Sequence, residues 1–100
     1  MLKPSEILQQ RGWVQGASKG PKGQVCLGQA INIATPMEWS DRPLRDRLRY
    51  SVLQFFENVH KPQCSQGHSG ISVSAYNDCK QMDFDTILRA AKHAEQEVGL

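Results

Sequence analysis

Four side chains of the kinds that hold zinc, His60, Cys64, His68 and Cys79, follow the spacing H-x3-C-x3-H-x10-C through the least regular part of the chain. A structural ion suits such a stretch, because loops bury little apolar area and gain stability from a bound metal. The pattern contains no CxxC pair, however, and Gly67 and Gly70 account for the same segment as an ordinary turn. The group is therefore read as surface histidines and inert thiols, and neither a metal nor another cofactor is expected.

Nucleophilic chemistry would need a thiolate with a base beside it. Cys26 stands where a helix begins, and His60, His68 or Asp78 could meet it only through folding. It also falls on the apolar side of that helix, where a cysteine acts as a small hydrophobe. Asn77 and Asp78 carry short amide and carboxyl groups that bind nearby backbone N–H groups, so the pair is read as a structural turn rather than an acid–base site. An enzyme using Cys26 or Asp78 is kept as a third reading.

Binding chemistry has stronger candidates. Lys19 and Lys22 lie in a glycine-rich loop spaced G-x3-G-x2-G from Gly16 to Gly23, which matches neither G-x4-GK[ST] nor G-x-G-x-x-G. Such a loop is expected to be solvated, and its lysines would suit an acidic surface or a nucleic-acid backbone. Further along, Arg42, Arg45 and Arg49 form a stripe that ends in Leu53, with Asp46 as a nearby counter-charge. Trp39, beside Met37 in the connection TPMEWSDRP, adds an aromatic anchor of the kind found at interaction hot spots. Trp13 is assigned to the core instead.

These residues need elements to position them. A brief helix is expected over Pro4 to Gln10, started by a proline suited to the first turn and stopped by Gly12. VCLGQAINIAT has helical spacing and ends at Pro36; Gly28 within it implies close approach of another backbone. From about Pro43 to His60, steps of ~100° per residue gather Leu44, Leu48, Val52, Phe55, Phe56 and Val59 on one face, the spine of the core. ISVSAY alternates Ile71, Val73 and Ala75 against Ser72 and Ser74, the period of a half-buried strand, with Trp13 to Gln15 or Gln24-Val25 as its expected partner. A last helix, capped by Asp83 and closed by Gly99, places Phe84, Ile87, Leu88, Ala91, Ala94 and Val98 together and turns Arg89, His93 and Gln96 outward.

The expected fold is thus α+β: three or four helices packed with a short two- or three-stranded antiparallel sheet, in a single domain over residues 1–100. A chain of 100 residues can bury one sufficient core. Hydrophobic residues make up 39% and charged residues 22%, with a formal net charge of +2; that balance argues against DNA mimicry by an acidic surface and against a dedicated nucleic-acid protein. No apolar run approaches the ~20 residues of a membrane span, and the start lacks the apolar core of a secretory signal. A cytoplasmic protein without membrane partners is expected, and three unpatterned cysteines fit reduced thiols there.

Gly12-Trp13 with Gly16, Cys26-Leu27 opening a helix that contains Ala30, and Tyr76-Asn77-Asp78 ahead of a capped helix together resemble a family of small proteins of unknown function from actinobacteria and their phages. That family typically shows Gly-Trp, then Cys-x-x-Gly-Ala, then Trp-Asn-Asp. Here Gln29 takes the usual glycine's place, with Gly28 one position earlier, and Tyr76 replaces tryptophan. The zinc-type group is not part of the shared pattern. The resemblance implies a phage or mobile-element setting and no mechanism. The expected function is a small non-enzymatic protein that docks on and modulates a protein partner, one form being an inhibitor of a host defence complex; Arg42, Arg45, Arg49, Leu53, Trp39, Lys19 and Lys22 are its expected contacts. The alternative is a nucleic-acid-binding accessory protein using the same arginines.

Overall fold

The computed structural model describes residues 3–35, 42–59 and 72–100. Five helices lie within them: α1 (Pro4–Arg11), α2 (Leu27–Ala34), α3 (Arg42–Val59), α4 (Val73–Asn77) and α5 (Phe84–Glu97). Each start has a local cause. Pro4 opens α1, where its missing N–H costs nothing, and Glu6 Oε1 accepts the Lys3 N–H at 2.8 Å. Cys26 Sγ accepts the Gln29 N–H at 3.3 Å to cap α2, Ser72 Oγ accepts the Ala75 N–H to cap α4, and Asp83 Oδ1 accepts the Thr86 N–H at 2.7 Å to cap α5.

The core lies between the long helices α3 and α5, with α1, α2 and α4 packed around them. Leu48, Val52 and Phe56 of α3 are fully buried, at steps of four residues, and Leu44 and Phe55 flank them half-buried. Across from them α5 contributes Ile87, Ala90, Ala91 and Ala94. The small alanines let the two helices approach closely, while Phe56 stacks on Tyr76 of α4 with ring centroids 5.0 Å apart. Burying each large apolar side chain contributes about 1.5–3 kcal/mol.

The expected α+β class does not hold: among the described residues there is no strand and no antiparallel sheet, only helices. ISVSAY, read as a strand, contains the start of α4. A segment this short fits both periods, and what decides is which residues must be covered: Val73, Tyr76 and Asn77, at i, i+3 and i+4, are buried, while Ser72 and Ser74 are exposed. Its two expected partners meet each other instead. Trp13 and Val25 form an isolated parallel bridge and Lys19 and Val25 an antiparallel one, with the Val25 N–H donating to Gly12 O at 3.0 Å and the Val14 N–H to Val25 O at 3.1 Å. No helix among the described residues is long and apolar enough to cross a membrane.

Candidate functional site

Three stretches far apart in sequence, Trp13 to Gly16, Cys26-Leu27 and Asn77-Asp78, close on one another around Asn77. This asparagine is the last residue of α4 and fully buried. Its Oδ1 accepts the Trp13 Nε1–H at 2.8 Å and the Leu27 N–H at 3.0 Å. Its Nδ2 donates to Val14 O at 3.1 Å and to Asp78 Oδ1 at 2.9 Å. Both lone-pair sites and both hydrogens of the amide are thus engaged, the full capacity of the side chain. No aspartate could replace it, because a carboxylate has no N–H for Val14 O.

The bonds leaving this hub fix the glycine-rich loop. Gln15 Nε2 lies 3.0 Å from Asn77 O and 2.9 Å from Cys79 O, and donates to both. The Gly16 N–H donates to Asp78 Oδ1 at 2.8 Å, at a residue whose φ of +80° suits glycine. The loop then closes on itself: the Gly20 N–H reaches Gln24 O at 2.8 Å, and the Lys22 N–H reaches Gln24 Oε1 at 2.9 Å. A Cβ on Gly20 would meet that same Oε1, so a larger residue there would displace the Gln24 side-chain amide from the Lys22 N–H. The loop is pinned at both ends, and Lys19 and Lys22 are exposed on it.

Beside the hub is a cavity of about 180 Å³, lined by Gly16, Ala17, Ser18, Cys26, Ser74, Asn77 and Asp78. It brings together the half-buried Cys26 thiol and the exposed Asp78 carboxylate, the two groups considered for nucleophilic chemistry. Both already serve the fold: Cys26 Sγ caps α2 and Asp78 Oδ1 accepts two N–H groups. The Asn77-Asp78 pair is accordingly a structural knot that also shapes a cavity wall.

The arginine stripe has a different fate from the lysine loop. Arg45 Nη1 lies 3.4 Å from Thr35 O, just past the end of α2, and Arg49 Nη2 donates to Asn32 Oδ1 at 2.9 Å. Both are half-buried, and Leu53 packs against the core. These arginines bind α3 to α2. Gly28, expected to admit a backbone, instead faces the Arg49 guanidinium: a Cβ there would sit 3.8 Å from Nη1, an ordinary contact. Trp39, Met37, His60, Cys64 and His68 lie outside the described residues, as does the side chain of Arg42. Cys79 is buried, its Sγ–H donating to Gln81 Oε1 at 3.2 Å.

Three roles escaped sequence reasoning. Arg47 and Tyr50 occupy the outward ridge of α3, and a helical wheel already places them opposite Leu48 and Val52. Gln15 and the buried Glu95 gave no such signal. Glu95 accepts the Ser5 N–H at 2.8 Å and the Ser5 Oγ–H at 2.9 Å, joining α5 to the start of α1, a contact only the tertiary fold creates.

A family model described as a family of unknown function, DUF6197, matches residues 4–97, a span that includes every residue of the hub and its loop. No curated protein and no solved structure matches the chain.

Proposed function

We propose that this chain, which belongs to the DUF6197 family of unknown function, is a small non-enzymatic binding protein that docks on an acidic face of a protein partner through its lysine-bearing loop. The observation behind this reading is the pinning of residues 15–24 by Asn77, Asp78 and Gln15 while Lys19 and Lys22 stay exposed. Binding residues gather on loops held by a rigid scaffold, and a loop ordered in advance loses less entropy on docking. Two exposed cations raise the encounter rate with an acidic partner and exclude basic ones. Trp39 and Arg42 are kept as contacts on residue type alone, whereas Arg45, Arg49 and Leu53 contribute by holding α3 against α2.

The resemblance to proteins of actinobacteria and their phages supports a phage or mobile-element setting in a host-cell cytoplasm. Inhibition of a host defence complex is one form that docking takes there. The test is capture from host lysate by three immobilised proteins: wild type, Lys19→Glu/Lys22→Glu and Arg45→Glu/Arg49→Glu. Loss of a captured protein with the lysine pair alone supports the loop as the contact. Identical capture by wild type and the lysine variant sinks it.

A nucleic-acid reading draws on the same two lysines, since a glycine-rich backbone with nearby cations suits phosphate groups. It predicts direct binding of labelled DNA or RNA duplexes, with an affinity that falls steeply as salt rises. Fluorescence anisotropy at two salt concentrations separates this reading from protein docking.

A further inference from the structure

The outward ridge of α3 runs through Pro43, Asp46, Arg47, Tyr50 and Gln54, all exposed. At its middle Tyr50 is 65% exposed, the larger of the two exposures among the described large hydrophobic side chains. Beside it a groove of about 470 Å³ is lined by Asp46, Arg47, Tyr50, Ser51, Glu97 and Val98, where the end of α5 meets α3. Asp46 and Arg47 form no ion pair among the described residues; Glu97 has only His93, one helical turn back, at 3.7 Å. Tyrosine and arginine are the side chains that interfaces favour at their centres.

The charges of this groove decide what fits it. Asp46 and Glu97 stand on the same patch as Arg47, so a foreign surface of one sign would satisfy one wall and repel the other. A two-fold axis through the groove would remove the conflict, because a self-facing patch can set Arg47 of each chain against Glu97 of the other. With the axis beside Tyr50, the two exposed rings would cover each other. We propose that this face is the seat of a second copy of the chain in a two-fold dimer. The proposal is independent of the lysine loop, which lies between α1 and α2 and lines no part of this groove.

Sedimentation equilibrium on the full chain tests it, with circular dichroism confirming that each variant is folded. Wild type should self-associate as concentration rises, and Tyr50→Ser should weaken the dimer by roughly tenfold or more. Arg47→Glu and Glu97→Lys should each do the same, because each places like charges across the axis. Mixing the Arg47→Glu chain with the Glu97→Lys chain restores both pairs at once, so a mixed dimer should form at the wild-type affinity or better. A wild type that stays monomeric up to about millimolar concentration overturns the proposal. So does a dimer whose affinity none of the three substitutions changes, and so does failure of the mixture to associate.

Discussion

The region around Asn77 and the contact between α3 and α5 are both buried, but they are held in opposite ways. Around Asn77 four directional bonds from one amide join α4, the first turn of α2 and the segment at Trp13 and Val14. Between α3 and α5, apolar side chains such as Val52, Phe56, Ala90 and Ala94 interlock without direction. Apolar packing responds to a lost methylene in proportion to the area and volume removed. A satisfied polar cluster does not, because each group left unpaired in the interior costs about 1–3 kcal/mol. One region should therefore fail by steps and the other by degrees.

Asn77→Ala is the sharpest way to break that comparison. It strands the Trp13 Nε1–H, the Leu27 N–H and Val14 O together, and a loss of about 3–5 kcal/mol is expected from urea unfolding. The same change should free the loop, so amide exchange at residues 15–24 should quicken more than exchange in α3 or α5. A loss below about 1 kcal/mol would show that water takes over those partners and that the hub is not the keystone.

Trp13→Phe probes the same hub with a smaller expected cost, about 1–2 kcal/mol. The Leu27 N–H still occupies Asn77 Oδ1, and the stacking on Phe84, at 5.9 Å between centroids, has a ring to continue it. In an Asn77→Ala background the Trp13 bond is already gone, so Trp13→Phe should then cost about 1 kcal/mol less. Additive losses would reduce the hub to a set of independent bonds. Phe56→Leu is the counterpart in the helix pair: about 1 kcal/mol, mostly from the aromatic contact with Tyr76, and additive with Asn77→Ala only as far as Tyr76 does not link the two regions.

That division also explains what could be read from the residues alone. The apolar stripe of α3, with Leu48, Val52 and Phe56, and the Asp83 cap of α5 follow from spacing within one element, so the sequence pattern carries them. Asn77-Asp78 announced a turn through its side-chain types, and its loop showed glycines and lysines. What links them does not show: the Trp13, Val14 and Leu27 partners of Asn77 come from 50 to 64 residues away, and nothing local in Trp13 or Leu27 names the acceptor. The α4 segment reads as a strand because six residues support two periods; Tyr76, buried although a strand would turn it outward with Ser72 and Ser74, is the residue that selects the helix. Arg45 and Arg49 looked like a solvent-facing stripe because a helical wheel cannot reveal that α2 lies beside it, offering Thr35 O and Asn32 Oδ1.

The smallest effect expected has the opposite sign from the rest. Gly28 lies in the first turn of α2 with ordinary helical backbone, and the atoms nearest a Cβ there are Arg49 Nη1 at 3.8 Å and Cys26 Sγ at 3.9 Å, both at normal contact distance. Nothing on this account requires a glycine. Gly28→Ala should therefore raise stability by about 0.5–1 kcal/mol, by restricting the unfolded chain and favouring the helix, with a matching rise in Tm. A fall would mean that Arg49 cannot yield even slightly without losing its bond to Asn32. In that case the guanidinium, and not the apolar face of α2, sets the distance between α2 and α3.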